Sequence, residues 1–135
     1  MPYSREREQL TAVESQYFGG LVHGDCLPGH PSQDLSHGAA IIDCSQPHIY
    51  QVAGFVDLSE GMPDKSDGIN FEISVVQRCS SLKAVLRTAP AFTHLIALNY
   101  TTDQAWNDDV RVALCWVAMN VERTGSVLDG SFAPA

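Results

Sequence analysis

The sequence lacks a long apolar run and is poor in basic residues. No stretch approaches the ~18 consecutive apolar residues of a membrane-spanning helix. Eight basic residues stand against sixteen acidic ones, which gives a formal net charge of -8. Nucleic acids and anionic membranes attract proteins through positive patches, and no basic cluster here exceeds the pair Arg5 and Arg7. We therefore expect no nucleic-acid partner, and a membrane partner only through an anchor that is absent from this chain.

The sequence motifs of common enzyme classes are also missing. There is no Gly-x-Ser-x-Gly nucleophile motif, and no glycine-rich phosphate loop follows a predicted strand. Ser126 lies between glycine-containing segments, but the sequence identifies no base for it. The paired carboxylates Asp108 and Asp109 are typical of the solvated surface of an acidic protein. The sequence therefore predicts a non-catalytic protein without a cofactor.

The first residues, MPYSREREQLTAVESQYF, do not resemble a signal peptide, which has a basic start followed by an apolar run. Taken alone, this start favours the cytoplasm. The cysteines favour an exported protein instead. We therefore expect an export or anchor segment to lie outside this sequence.

The sequence does contain the material for one stable domain. Its 135 residues, 44% of them hydrophobic, are enough for a single core. An even number of cysteines in a small domain is typical of a disulfide framework, and four cysteines allow three pairings. These are Cys26, Cys44, Cys79 and Cys115.

Two Cys-x-x-x-His pairs, Cys26 with His30 and Cys44 with His48, suggest zinc as an alternative. Zinc motifs usually place their cysteines two to four residues apart, with the histidines in a second cluster. The sequence has no Cys-x-x-Cys, and a zinc site would leave Cys79 and Cys115 as free thiols. Disulfides are favoured, with no metal, and a zinc-binding domain remains the less favoured reading.

The periodicity of apolar residues predicts an α+β domain with a mostly antiparallel sheet, packed by one long helix plus a short N-terminal helix. The long helix is indicated by a stripe of apolar residues, with Asp67 as its N-cap and residues 88–90 as its end. That stripe comprises Phe71, Val75, Cys79, Leu82 and Leu86. The short helix is predicted over residues 4–18. Strands are predicted over residues 21–27, 39–44, 48–58, 93–100 and 110–120.

Two of these strands carry more detailed predictions. Residues 110–120 are apolar on both faces, which indicates a central strand covered on both sides. In residues 48–58, alternation places one set of side chains on each face. The first set is Ile49, Ala53 and Phe55, and the second is Tyr50, Val52, Val56 and Leu58.

The predicted organisation is an N-terminal helical segment or linker over residues 1–19, a single disulfide-stapled domain over 20–130, and a tail over 131–135. Because Cys79 faces inward from the long helix, it can reach Cys115 on the central strand. A Cys26–Cys44 bridge would then tie two neighbouring strands. We prefer this pairing as a hypothesis.

His48 is the one histidine with a specific setting, since it follows Cys44-Ser-Gln-Pro and begins a strand. Its ring is expected beside the disulfide. A structural interpretation is that it hydrogen-bonds a backbone carbonyl and fixes the bend. A functional one is that it faces a ligand. The latter leads to an alternative function, a small secreted hydrolase-like enzyme that uses His48 with a nearby carboxylate.

Several segments, in order, resemble the septum-formation domain family of actinobacterial cell-envelope proteins. They are VHGDCLP, IIDCSQPHIYQVAGFVDL, a lone Cys79 in a helix, AWNDDVRVALCWV and RTGSVLDG. That family has a recurrent Gly-Asp-Cys, a Val-x-Cys-x-x-Pro-His before a Glu-Val strand, and a Trp-x-x-Gly-x-Arg-x-x-x-Cys. The resemblance covers about residues 20 to 130. Gln51 departs from the usual glutamate, and residues 107–109 depart from the usual glycine-containing turn.

The resemblance implies an extracytoplasmic domain, often on a membrane-anchored protein, and it supports disulfides over zinc. It adds Asp25 and Trp106 to His48 as candidate binding or structural residues, and it supplies no catalytic residue. The function expected from it is a binding or scaffold domain of the cell envelope, linked to septum formation and cell division. Its partner would be a protein or a cell-wall component.

Overall fold

The computed structural model describes residues 6–7, 10–29, 40–82, 94–100, 106, 110–126 and 133–134. Within these ranges the chain forms an antiparallel sheet and two α-helices, which confirms the predicted α+β class. The helices are α1 (Ala12–Gln16) and α2 (Ile69–Ser80), the latter preceded by a 3-10 helix (Lys65–Asp67). The strands are β1 (Glu6–Arg7), β2 (Cys26–Leu27), β3 (His48–Asp57), β4 (His94–Tyr100), β5 (Val112–Thr124) and β6 (Ala133–Pro134).

The two long strands β3 and β5 form the centre of the sheet. The strand order is β1-β3-β5-β4, while β2 also pairs with β3 and β6 also pairs with β5. From Val112 to Met119, strand β5 is buried on both faces, which confirms that it is central. Towards α2 it presents Ala113, Cys115, Val117 and Met119. Towards the other side it presents Val112, Leu114, Trp116 and Ala118.

Helix α2 covers one face of the sheet with the predicted apolar stripe. Phe71, Val75 and Cys79 are buried on its inner side, and Leu82 is buried just after its end. They pack against β3 and β5 in one core cluster. Leu86 and the predicted end of the helix at residues 88–90 lie outside the described residues.

The prediction that Asp67 caps α2 is wrong. The residue at the N-cap is Gly68, which has a φ of 45° and makes no side-chain cap hydrogen bond. Asp67 belongs instead to the 3-10 helix, and its carboxylate accepts hydrogen bonds from Asn70 Nδ2 at 3.3 Å. Positive φ is accessible mainly to glycine, so a turn at Gly68 with positive φ separates the two helical segments.

The alternation predicted for residues 48–58 is also wrong, because β3 contains irregularities in its pairing with β5. The register shifts between Val52 and Gly54, where Gly54 has a φ of 151°. An extra residue in a strand reverses the facing of every residue beyond it. The side facing α2 therefore holds Ala53, Val56 and Leu58, and the opposite side holds Ile49, Tyr50, Val52 and Phe55.

The N-terminal part of the chain is less helical than predicted. Helix α1 begins only at Ala12, where Thr11 and Glu14 form a reciprocal capping box. Before it, β1 pairs with Val56 and Phe55 of β3. The segment predicted as a tail contributes β6, which pairs with Arg123 and Thr124.

The predicted strands at 21–27 and 39–44 are much shorter in the structure. Only Cys26 and Leu27 of the first form a strand, and the second is represented by a single bridge between Ile42 and Cys26. Residues 21–25 are not part of a strand and contain a turn. Leu21 and the neighbouring Phe18 are buried in the second core cluster, on the face of the sheet opposite α2.

Neither of the described helices combines the length and the apolar content needed to cross a lipid bilayer.

Candidate functional site

The four cysteines form two disulfides with the preferred pairing, Cys26–Cys44 and Cys79–Cys115. The Cα atoms of the pairs lie 5.3 and 5.6 Å apart. Cys79–Cys115 is fully buried and joins α2 to β5. Because Cys26 and Cys44 are bonded to one another, neither offers a thiolate to zinc. Two such bridges are typical of an oxidising, extracytoplasmic environment.

The Cys26–Cys44 disulfide connects three short segments at one corner of the sheet. The backbone carbonyl of Cys26 accepts a hydrogen bond from Ile42 N at 2.8 Å, and the carbonyl of Cys44 accepts one from Gly125 N at 2.8 Å. The carbonyl oxygen of Gly24 lies 3.5 Å from Cys44 Sγ. A disulfide sulfur carries no proton, so this last approach is a contact and not a hydrogen bond. We call this region the stapled corner: Val22–Cys26, Ile42–His48, Gln51 and Gly125–Ser126.

Gln51 is the polar centre of the stapled corner. It is fully buried within β3. Its Nε2 donates to the carbonyl of Gly24 at 3.0 Å and to Ser126 Oγ at 2.8 Å. A buried amide needs such partners because an unsatisfied polar group is costly. From the sequence, Gln51 was expected only to depart from a family pattern, and its buried position was not predicted. The available signal was a long polar side chain inside an otherwise apolar strand.

Asp25 stabilises a tight turn at the same corner. Its Oδ2 accepts a hydrogen bond from Val22 N at 2.9 Å, and its own N donates to the carbonyl of Val22 at 3.2 Å. The carbonyl of Asp25 accepts from Val52 N at 2.8 Å, which attaches the turn to β3. The carboxylate of Asp25 thus holds the backbone that leads into Cys26.

His48 is the first residue of β3 and is only 2% exposed. Its Nδ1 lies 2.8 Å from the carbonyl oxygen of Gln46. Since a carbonyl oxygen can only accept, Nδ1 carries the proton in the neutral ring, and Nε2 carries a lone pair. Within the described ranges Nε2 has no hydrogen-bond partner. The ring is therefore oriented by a backbone carbonyl across the Pro47 bend.

Trp106 is half-buried beside the first turn of α2. Its ring meets that of Phe71 edge-on, with centroids 5.2 Å apart. The Arg111 guanidinium carbon lies 4.0 Å from the indole centroid, and Lys65 Nζ lies 5.7 Å from it. These are cation–π distances. The indole is thus in contact with the core through Phe71 and with the cationic side chains of Arg111 and Lys65.

The three candidate side chains do not converge. Asp25 and His48 belong to the stapled corner, where β3 begins. Trp106 lies near the other end of β3, because the carbonyl of its neighbour Arg111 accepts a hydrogen bond from Leu58 N at 2.7 Å. Strand β3 has ten residues, and at ~3.3 Å per residue the two ends are about 30 Å apart.

Two exposed carboxylates have lowered pKa values. The pKa of Asp43 lies below its usual 3.8 because the backbone N–H of Ser45, and secondarily its hydroxyl, stabilise the ionised form. The pKa of Asp64 is lowered in the same way by the backbone N–H and hydroxyl of Ser66. Both carboxylates are thus negatively charged at neutral pH.

In the part of the chain that the structure describes, no three His, Cys, Asp or Glu residues are grouped so as to hold a metal ion. His30, the partner of Cys26 in the zinc alternative, lies outside the described residues. Residues 107–109, where the sequence departs from the family turn, lie outside them too.

Comparison with known proteins gives no match, whether to a family model, to a curated protein or to a solved structure.

Proposed function

We propose that this chain is a non-catalytic binding or scaffold domain that works in the cell envelope, outside the cytoplasmic membrane. The observation that carries the proposal is the pair of disulfides, one of which crosses the core between α2 and β5. Structural bridges of this kind persist in oxidising compartments and are rare in the cytosol. A protein or a cell-wall component is the proposed partner.

The internal use of the candidate side chains supports a non-catalytic role. Asp25 holds a turn, His48 is bonded to a backbone carbonyl, and Trp106 contacts Phe71 and two cations. Catalytic groups need to reach the same reacting atom, and these residues lie at two distant ends of β3. What the fold offers a partner is therefore its surface, held rigid by the bridges.

A role in septum formation is the finer part of the proposal, and it rests on the resemblance in sequence. The segments that carry the resemblance include Gly24–Cys26 and Cys44–His48, which together make up most of the stapled corner. We propose that these motifs specify a stable corner, and that attachment to the membrane is provided by an anchor outside this chain.

Fractionation of the native host tests the location. Thiols are blocked with an alkylating reagent at lysis, and the domain is then recovered from the cytosolic, membrane and cell-wall fractions with an antibody. We expect it in the envelope fractions with all four cysteines protected as disulfides. Recovery from the cytosol with alkylated cysteines would refute the proposal.

Crosslinking in intact envelopes tests the role. The full-length protein is crosslinked in dividing and in non-dividing cells, and the attached peptides or wall fragments are identified by mass spectrometry. We expect division-associated partners to be enriched in the dividing cells. Partners that do not change with division would leave a scaffold role but refute the link to the septum.

A small secreted hydrolase remains the second candidate, because the Nε2 of His48 carries a lone pair without a described partner. A general base needs such a lone pair. The purified domain and a His48→Gln variant are compared on ester, amide and cell-wall glycan substrates. Hydrolysis that disappears in the variant would establish the enzyme, and no hydrolysis by either protein would remove this candidate.

A further inference from the structure

Helix α2 has a second apolar face that the core does not use. Ile69, Ile73 and Val76 are 70%, 48% and 41% exposed. Their spacings of four and three residues place them on one side of the helix, opposite to Phe71 and Val75. We call these three residues the outer stripe. Only the inner side of α2 packs against the core. The outer stripe therefore offers an apolar surface to another molecule.

The spacing of the outer stripe fits a helical occupant. Steps of four and three residues are those of a d-a-d seam in a coiled coil, and such a seam packs against the matching seam of another helix. Amphipathic helices dock on apolar surfaces through side chains at the same intervals. An extended strand would need contacts every two residues.

The charges around the outer stripe are acidic. Glu72 lies three residues after Ile69 and four before Val76, so it borders both side chains. Asp64 and Asp67 are exposed just before the helix begins. The lowered pKa of Asp64 keeps that residue ionised. The outer stripe is thus bordered by negative charge.

Two cations of the same segment contact other parts of the molecule. Lys65 Nζ lies over the Trp106 ring. The guanidinium of Arg78 is buried beneath the helix, where it donates to the carbonyl of Asp57 at 2.8 Å and to the carbonyl of Glu60. Among the residues of α2, Glu72 is therefore the one charged side chain on the outer side of the helix.

From this combination we propose that the outer stripe of α2 is a docking surface for a cationic amphipathic α-helix of a partner protein, a proposal that rests on the binding role proposed above. Lysine or arginine residues beside the apolar seam of that helix would meet Glu72 and the carboxylates at the start of α2. A second copy of the chain would bring two acidic borders together at a net charge of -8 each. An anionic membrane surface would be repelled in the same way.

The test uses the whole 135-residue chain and a fluorescent leucine–lysine peptide of about four helical turns whose leucines follow the same four-three spacing. Binding is measured by fluorescence anisotropy, and a leucine–glutamate peptide of the same pattern is the charge control. We expect the lysine peptide to bind at least about tenfold more tightly than the glutamate peptide. We also expect its binding to weaken as salt is raised.

Matched variants locate the binding. Ile73→Ser removes the central side chain of the outer stripe, and Val121→Ser removes an apolar side chain of equal exposure, 48%, on β5. We expect Ile73→Ser to weaken binding of the lysine peptide about tenfold. Val121→Ser should change it less than twofold. Glu72→Gln should reduce the salt dependence. Circular dichroism of each variant checks that it remains folded.

Four outcomes would overturn the proposal. The first is that Ile73→Ser and Val121→Ser weaken binding of the lysine peptide equally, and the second is that the lysine and glutamate peptides bind equally well. The third is that the protein sediments as a dimer, which Ile73→Ser dissociates. The fourth is that the protein binds anionic phosphatidylglycerol vesicles and that Ile73→Ser abolishes this binding. The third would assign the outer stripe to a second copy, and the fourth to a lipid surface. None of the four affects the location and the disulfide state, so the function proposed above is tested separately.

Discussion

At the scale of single residues, the buried side-chain amide of Gln51 holds the segments of the stapled corner together. Gln51 is surrounded by apolar neighbours and supplies a donor to the carbonyl of Gly24 and to the hydroxyl of Ser126. Both acceptors belong to segments far from β3 in sequence. The side-chain amide of Gln51 therefore connects strand β3 to the turn before Cys26 and to the end of β5.

Replacing Gln51 by leucine should lower the free energy of unfolding by about 1–3 kcal/mol, because the carbonyl of Gly24 would lose its donor. Urea denaturation followed by tryptophan fluorescence measures the change. Gln77→Leu, at an exposed position of α2, is the control and should change it by less than about 0.5 kcal/mol. A Gln51→Leu protein as stable as the parent would show that this amide does not stabilise the corner.

The carboxylate of Asp64 offers a test of local electrostatics. Removing the hydroxyl donor with Ser66→Ala should raise the pKa of Asp64 towards 3.8, while the remaining backbone N–H keeps it below that value. The pKa of Asp43, which is bonded to Ser45, should not change. Carboxyl carbon chemical shifts measured by NMR against pH give both values.

The sign of the pH effect follows from the same hydrogen bonds. A carboxylate with a lowered folded-state pKa stabilises the fold above its usual pKa, and this contribution is lost as the pH falls through the folded-state value. The contribution of Asp64 should therefore be complete above pH 3.8 and be lost below it. An Asp64 pKa that rises in Ser45→Ala but not in Ser66→Ala would contradict the assignment.

The disulfides and the buried stripe were predictable from single residues, whereas Gln51 and Arg78 were not. Cysteines have one dominant use in a small exported domain, and the position of Cys79 within an apolar stripe indicates that it faces inward. A glutamine or an arginine is usually exposed. Whether either is buried depends on carbonyl groups that the chain brings from elsewhere, and local sequence does not reveal those.

At the scale of elements, α2 is attached to the sheet by more than apolar packing. Arg78 lies on its inner side, only 5% exposed, and donates to the carbonyls of Asp57 and Glu60 where β3 ends. These hydrogen bonds hold the loop that leaves β3 against the helix. The same loop leads into the 3-10 helix and the start of α2.

Arg78→Met keeps the apolar stem and removes the donors, so it should lower the free energy of unfolding by about 3 kcal/mol. The backbone amides of residues 58–61 should also exchange faster with deuterium, because their loop would lose its attachment. Gln77→Met on the same helix is the control and should affect neither. Unchanged exchange in the Arg78→Met protein would show that the loop is held by other contacts.

Element types were predicted better than the facing of residues within them. The spacing of apolar residues identified α2, β3, β4 and β5, because that signal extends over many positions. The facing of β3 was missed because its register shifts beside Gly54, and one extra residue reverses all that follow. A glycine within a strand is the sequence signal of such a bulge. The start of α1 was likewise encoded by Thr11 and Glu14.

At the scale of the whole molecule, the two disulfides fix different parts of the fold. Cys79–Cys115 joins a helix to a central strand within the core, and Cys26–Cys44 closes a corner at the edge of the second core cluster. In a chain-entropy model the stabilisation grows with the separation of the bridged residues. Separations of 18 and 36 residues correspond to about 3 and about 4 kcal/mol respectively.

The two bridges should therefore open in order as a reductant is added. Cys44 is partly exposed, whereas Cys79 and Cys115 are fully buried, and attack on a disulfide requires access to a sulfur. Alkylation and mass spectrometry at rising phosphine concentration should show Cys26 and Cys44 modified first, while the circular dichroism spectrum of the folded protein persists.

The stability of disulfide variants gives a second test. The double variant Cys26→Ser with Cys44→Ser should stay folded to higher urea concentrations than the double variant Cys79→Ala with Cys115→Ala. If Cys79–Cys115 is reduced first, or if both disulfides are reduced at the same phosphine concentration, then Cys79–Cys115 is not the better protected of the two.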